Sequence, residues 1–206
     1  MLYHYGMKRL SVVALLVLGT LLGGCAPVLS LNPLYDEKKK EAVFFEKLVG
    51  EWKVVVKQKD SHDDGNTRWI FRRADKGDGY DLSSLEISRK GSYASEAHII
   101  KLDDKFFLDV EPVELDSEEA FPKPIPVLPV HTFARIWIDD HRVRIHFLDD
   151  SWLEDQKKVG KLNIAFAEGP TGLVLTATTE QLRKFAIEHA DDEAAFALKY
   201  ELTKLD

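Results

Sequence analysis

Hydrophobic and polar residues alternate one by one along most of this chain, which is the pattern of β-strands with one buried face. In 142–148, for example, Val143, Ile145 and Phe147 share one face and basic residues occupy the other. Nine segments are predicted as strands: 52–59, 67–73, 79–87, 92–102, 105–111, 131–138, 142–148, 172–178 and 195–204. So many short strands with frequent turns predict a mainly β, antiparallel barrel, with a flattened barrel or two-sheet sandwich as the alternative.

Two or three short helices are expected between these strands. Asp36 is placed to cap a helix that ends at Gly50, because apolar residues recur at helical spacing between them. Ser151 and Thr178 each precede Glu or Gln by three residues, the spacing of a capping box. The helix from Ser151 is predicted to reach about Val159.

Residues 112–130 contain five of the eight prolines of the chain. Such a segment does not form a central strand and favours extended polyproline geometry. Two interpretations stay open at this point: a semi-rigid flap over the mouth of a barrel, or a long surface connection between strands.

The N-terminal region has the pattern of a secretory signal. Lys8 and Arg9 form a short positive segment, residues 10–22 are mostly apolar, and two glycines precede Cys25. An apolar stretch of this length is too short to span a bilayer about 30 Å thick. Residues 1–24 are therefore predicted to be a signal peptide.

Leu22-Gly23-Gly24-Cys25 resembles the lipobox of bacterial lipoproteins. The resemblance implies cleavage before Cys25, a diacylglyceryl thioether on its sulfur and an acyl chain on its new amine. Ala26, in place of an aspartate, favours the outer membrane facing the periplasm. The alternative is an ordinary secretory signal that ends near a free cysteine. On the lipoprotein interpretation, residues 25–35 form a lipidated tether and residues 36–206 a single β-rich domain.

The net charge of the chain argues against two classes of binding partner. The chain has a net charge of −7, and loss of Lys8 and Arg9 with the signal leaves 26 basic and 35 acidic residues, a net charge of −9. This balance argues against nucleic acid and against electrostatic adhesion to anionic lipid. The acyl chains on Cys25 are thus the expected contact with the membrane, and two or more chains anchor a protein stably.

Gly50-x-Trp52, at the end of a predicted helix and the start of the first long strand, resembles the start of the barrel in calycins, the lipocalins and their relatives. The resemblance implies a calycin-like barrel whose floor is closed by the tryptophan, with a basic residue of the last strand packed over it. The last strand here has no arginine; Lys199 falls on its polar phase, and Lys204 falls in the apolar phase near the chain end.

A broader resemblance covers most of the chain after the signal. Its segments are similar to those of a family of uncharacterised bacterial lipoproteins, small lipid-anchored β proteins of the envelope. The segments are 32–35, 48–52, 128–135, 151–153, 173–185 and 189–193. The resemblance implies a location in the cell envelope and a β fold, and it supplies no catalytic residues.

Several common catalytic, nucleotide-binding and metal-binding motifs are absent from the sequence. The sequence contains no nucleophile elbow, P-loop or Rossmann glycine pattern, and no two histidines have the spacing of a common metal site. Asp149, Asp150, Glu154 and Asp155 are interpreted as residues that cap and compensate a helix N-terminus. No catalytic residue, metal or cofactor is predicted, and an enzyme is the least favoured class.

The face shared by His131, Phe133, Arg135 and Trp137 is the most distinctive candidate for a site. Pointing inward, it would place a guanidinium among aromatic rings, which suits a ligand with a carboxylate or phosphate head and an apolar body. Pointing outward, it would leave Arg135 solvated, while the isoleucines of the other face fill the core.

The leading hypothesis is a lipid-anchored envelope protein that binds a small apolar or amphipathic molecule in a barrel cavity. The candidate pocket residues are Trp52, Trp69, His131, Arg135 and Trp137. The rival is a scaffold that contacts another envelope protein, which predicts a filled barrel and an exposed apolar patch.

Overall fold

The computed structural model describes residues 27–36, 39, 41–57, 67–75, 78–86, 91–113, 130–169 and 172–205, and these form a mainly β protein. The strands are β1 (Leu29–Ser30), β2 (Gly50–Val56), β3 (Thr67–Arg73), β4 (Tyr80–Glu86), β5 (Gly91–Leu102), β6 (Lys105–Pro112), β7 (Thr132–Ile138), β8 (Arg142–Phe147), β9 (Phe166–Gly169), β10 (Gly172–Leu175) and β11 (Leu198–Lys204). The helices within this part of the chain are α1 (Asp150–Lys158) and α2 (Thr179–Glu188).

Eight of these strands close into one antiparallel barrel. The order around it is β11-β2-β3-β4-β5-β6-β7-β8, and β8 pairs with β11 to complete the circle. Each strand follows its neighbour along the chain except β11, which joins after α1, β9, β10 and α2. The mainly β, antiparallel barrel predicted from alternation is confirmed, because every second side chain fills one enclosed interior, and its eight closed strands are consistent with a calycin-like barrel.

The barrel interior is the first of two hydrophobic cores. It takes the apolar phase of each strand, and its fully buried members include Trp52, Phe71, Ile99, Leu108 and Ile145. These residues come from five different strands, so the core forms only when the barrel closes.

The second core lies on the outer face of β5, β6 and β7. A small sheet of order β1-β10-β9 and the helices cover this face, and Phe107 and Phe133 of the wall pack against Leu34, Leu175 and Leu182. The strand β9 and the short β1 were not predicted from the sequence, since a two-residue strand has no period to detect.

The N-terminal residues of the domain form a strap across this outer face, which corrects the tether expected over 25–35. Pro27 pairs with Asp149, and Ser30 exchanges backbone hydrogen bonds of 2.8 Å with His131. Leu34 is completely buried. The domain therefore includes the chain from Pro27 onward, because apolar side chains in this segment complete the second core.

The helix expected from Asp36 to Gly50 is wrong for its described residues. Ala42 bridges Ile100, the amide of Val43 donates to the carbonyl of Ile99 at 2.7 Å, and Glu46–Leu48 forms a short 3-10 turn. Pairing with β5 satisfies the backbone of this segment, so tertiary contacts override the local helical spacing.

The two other predicted helices are present, with one change of cap. Thr178 makes the expected capping box with Gln181. The cap of α1 is Asp149 rather than Ser151, and its carboxylate accepts from the amide of Trp152 at 3.0 Å. The interpretation of Asp149 as a capping carboxylate is confirmed.

Candidate functional site at the mouth of the barrel

The two ends of the barrel are defined by where its strands begin and finish. At the closed end, β2 begins beside the 3-10 turn at Glu46–Leu48. The opposite end, here called the mouth, is where β2, β4, β6 and β8 finish. The connections 58–66, 87–90 and 114–129 join strands at the mouth and lie outside the described residues, as does most of the proline-rich segment.

Trp52 seals the closed end. Its indole is completely buried, and its Nε1 donates to the carbonyl of Leu48 at 2.8 Å. The ammonium of Lys204 lies 5.4 Å from the ring centroid and donates to the carbonyl of Lys47 at 3.0 Å. Lys204 thus occupies the position that the calycin resemblance assigns to a basic residue of the last strand, and forms a cation–π contact there.

Gly50 has a positive φ of 134° and lies against Lys204. A Cβ at this position would stand 3.2 Å from Cε of Lys204. Glycine is therefore required next to the tryptophan both by the backbone conformation and by the close approach of the lysine stem.

The interior next to the closed end is filled by side chains. Tyr80, Phe71, Leu202 and Val143 have no accessible surface, and the neighbouring Leu48 also has none. A side chain without accessible surface borders no space large enough for a water molecule. The lower half of the barrel therefore offers no room for a ligand.

An aromatic cluster lies on the interior phase toward the mouth, where Trp69 and Tyr200 are partly buried and Phe147 is 5% exposed. Trp69 stacks on Tyr200 with ring centroids 5.6 Å apart, and Phe147 meets Tyr200 edge-on at 5.5 Å. Val110 is also partly buried on the same interior phase. This arrangement presents an apolar, aromatic surface that can contact an apolar molecule from the mouth.

His131 lies on the outer wall and is bound into a buried polar cluster. Its Nδ1 is 2.8 Å from Oδ1 of Asp109, whose side chain is almost completely buried. The other carboxylate oxygen of Asp109 accepts the amides of Leu34 and Tyr35. Asp109 therefore fastens the strap to the barrel, and His131 completes the cluster.

The charges around this cluster shift two histidine pKa values in opposite directions. Burial lowers the pKa of His131, but the hydrogen bond and charge of Asp109, with Glu111, outweigh it and raise the pKa above its usual value. Burial lowers the pKa of His98, whose ring stacks on Tyr35 at 3.9 Å. The pKa values of His131 and His98 are therefore shifted in opposite directions.

Arg135 also faces outward, but it is not the solvated residue that this orientation predicted. It is 5% exposed, with its guanidinium 5.2 Å from the ring centroid of Phe107 and 4.0 Å from Asp191. The segment after α2 covers it, because Phe196 packs against Phe107 from outside. Trp137 lies beside Arg135, at 4.8 Å, and is partly buried.

The structure divides the five sequence-predicted pocket residues between the two faces of the wall. Trp52 and Trp69 are inside and directly opposite each other on β2 and β3, whereas His131, Arg135 and Trp137 are outside. The five therefore do not line one pocket, since alternate positions of a strand face opposite sides. Of the two interior residues, Trp52 is completely buried, whereas Trp69 is partly buried and stacks on Tyr200.

Tyr200 and Phe147 were not among the candidates derived from the sequence. Both lie in the apolar phase of predicted strands, so the alternation was the available signal. It did not show which apolar positions lie near the mouth, because depth along the barrel depends on strand register.

Two further features lie outside the barrel interior. A cleft of about 210 Å³ on the outer wall is lined by residues that include Asp75, Glu96 and His98. Within the described part of the chain, no group of three or more His, Cys, Asp or Glu side chains is arranged to hold a metal ion.

The chain matches no protein-family description, no curated protein and no solved structure. Among the described residues, no helix is long and apolar enough to cross a membrane.

Proposed function

We propose that this protein is a lipid-anchored lipoprotein of the bacterial envelope that binds a small apolar or amphipathic molecule at the mouth of its barrel. The acyl chains on Cys25 hold it to a membrane, and the leading location is the outer membrane facing the periplasm. Trp69 and Tyr200 provide the apolar contact surface, and the closed end acts as a rigid base.

The partly exposed aromatic cluster at the mouth carries this proposal. Aromatic rings that remain accessible above a filled interior offer a large contact area without a requirement to unfold the core. Small barrels of eight strands either fill with side chains or hold one small ligand. Here the lower half follows the first pattern, which leaves the upper half for a ligand.

The filled lower half favours a rival function, that of a scaffold for another envelope protein. A scaffold needs no ligand and would bind its partner through an exposed patch. A ligand-binding protein should carry a bound molecule when it is purified from cells, whereas a scaffold should carry none. The mass of the native protein distinguishes the two functions.

Native mass spectrometry of the mature protein, with Cys25→Ser and gentle purification from a bacterial periplasm, tests the proposal. We expect an adduct of the size of one amphiphile that denaturation removes. Trp69→Ala should lose the adduct and weaken the binding of a fluorescent fatty acid by roughly tenfold, the effect of about 1.4 kcal/mol of lost contact.

Trp137→Ala is the matched control, because it deletes the same side chain from the outer wall and should leave binding unchanged. A bare mass for the wild type, together with no binding of the fatty acid, would contradict the ligand and favour the scaffold. The anchor is tested separately by the intact mass of the protein extracted from membranes, in which Cys25 should carry its acyl chains.

A further inference from the structure

The position of Pro27, the first described residue, limits how a lipid anchor on Cys25 would hold the barrel. Pro27 pairs with Asp149, and the amide of Val28 donates to the carbonyl of Leu148 at 3.4 Å. Leu148 and Asp149 directly follow Phe147, the last residue of β8, and β8 finishes at the mouth. The N-terminal end of the folded domain therefore lies at the mouth.

Very little chain separates this point from Cys25. Only Ala26 stands between Cys25 and Pro27, and two residues span at most about 7 Å when fully extended. β8 has six residues, about 20 Å of strand, so the closed end is much farther from the anchor.

The rim of the mouth also carries exposed apolar side chains. Tyr93 is 63% exposed and Val113 is 43% exposed. Val113 pairs with Ala94, since the amide of Val113 donates to the carbonyl of Ala94 at 3.0 Å, and Tyr93 precedes Ala94 on β5 and faces the opposite side of the wall. Val113 follows β6, two strand positions from β8 and thus about 10 Å across the wall. Tyrosine prefers the interface between lipid and water.

We infer that the anchor docks the mouth of the barrel onto the membrane surface, with Tyr93 and Val113 in the lipid headgroup region. This inference rests on the proposed lipidation of Cys25. Docked in this way, the aromatic cluster of Trp69 and Tyr200 faces the bilayer, so the ligand is a membrane amphiphile that passes directly between lipid and barrel. The net negative charge of the chain makes a zwitterionic surface the favoured one.

Fluorescent labels on the lipidated protein test this orientation. Tyr93→Cys, labelled with nitrobenzoxadiazole and reconstituted in phosphatidylcholine vesicles, places the label at the rim. Asp140→Cys is the matched control, because Asp140 is exposed in the turn at the closed end. Dithionite added to the water should reduce the rim label at least about fivefold more slowly, because a charged reductant is excluded from lipid.

Insertion of a Gly-Ser linker of about 12 residues between Ala26 and Pro27, with an end-to-end length of about 20 Å, sharpens the test. We expect the linker to bring the rim label close to the rate of the control. Unchanged protection would overturn the role assigned to the short connection.

The outcomes separate this inference from the proposed function. Equal reduction rates at both positions, in protein whose intact mass shows the acyl chains, would overturn the docking and leave the anchor and the ligand in place. An intact mass without acyl chains would overturn the proposed anchor, and the docking with it.

Discussion

The two faces of the barrel wall are packed by different chemistry. The interior core consists of apolar side chains, with the Lys204 ammonium at its closed end. The outer core holds the four buried polar or charged residues of the described chain: Ser30, Asp109, Arg135 and Asp149. Apart from β11, the first core is built from strands that pair in sequence, whereas the second joins the barrel wall to the strap, the small sheet and the helices.

This difference shows what buried polar groups do here. Apolar contacts alone would allow the strap and helices to slide over the wall, since apolar contacts have no preferred direction. Asp109 accepts two strap amides, and Asp149 caps α1 while its backbone pairs with Pro27, so each covering segment has one position. The predictions below test this division, in order of expected effect.

Removal of the indole from the closed end should have the largest effect. Trp52→Ala deletes a completely buried side chain, and we expect it to lower the free energy of unfolding by about 3–5 kcal/mol. Trp69→Ala, at the partly buried mouth, should cost about half as much. Urea denaturation of both variants measures this, and equal losses would show that the mouth is packed as tightly as the base.

We expect acid to lower the stability of the fold through His146, on the outer face of the barrel wall. Burial lowers the pKa of His146 to about 4, and Lys199 and Arg144 add to this shift. A histidine with a depressed pKa contributes stability that is present above its unfolded value of about 6.5 and is lost as the pH falls toward 4. We expect a loss of up to about 3 kcal/mol over this range.

His146→Gln should flatten that acid loss, as measured by urea denaturation at a series of pH values. His141→Gln, at an exposed turn, is the control and should leave the pH dependence as it is. An unchanged acid loss in His146→Gln would assign the effect to other groups.

Weakening of the strap's polar attachment should have an intermediate effect. Asp109→Asn replaces a charged acceptor of two strap amides and of His131, and we expect a cost of about 2 kcal/mol. Since Asp109 raises the pKa of His131, the variant should lower that pKa. His131 contributes stability below about 6.5 in the wild type, lost as the pH rises through its raised pKa.

Proton NMR of His131 and amide hydrogen exchange of the strap measure these two effects. Glu111→Gln is the comparison and should lower the pKa of His131 less than Asp109→Asn does, since Glu111 lies 3.8 Å from the opposite ring nitrogen and is more exposed. If Asp109→Asn left both strap exchange and the His131 pKa unchanged, Asp109 would not be the attachment.

Removal of the Lys204 ammonium, which lies over the ring of Trp52, should have the smallest effect on stability. Lys204→Met keeps the methylene stem and removes the cation–π contact and the hydrogen bond to Lys47, so we expect a cost of about 1 kcal/mol. Lys199→Met, on the outer phase of the same strand, should cost less. A larger loss for Lys199→Met in urea denaturation would reverse the roles of the two lysines.

Much of the interior could be predicted from single strands. The phase of Val143, Ile145 and Phe147 identified the buried face of β8 without any partner strand. One of the two orientations considered for Arg135 was the outward one, which is correct. That alternative expected Arg135 to be solvated, so its burial was not predicted. Burial of Arg135 depends on Phe196 and Asp191, which lie more than fifty residues along the chain.

The sequence by itself determined most of the strands, the buried face of each and the positions of Gly50 and Trp52, because each depends on residues close together in the chain. The tertiary structure alone decided that the segment after Pro27 is a strap, and that Trp69 stays partly buried beside Tyr200 whereas Arg135 is buried on the outer face. The physical reason is that local alternation fixes which side of a strand is buried, whereas register, closure and covering segments fix what lies on that side.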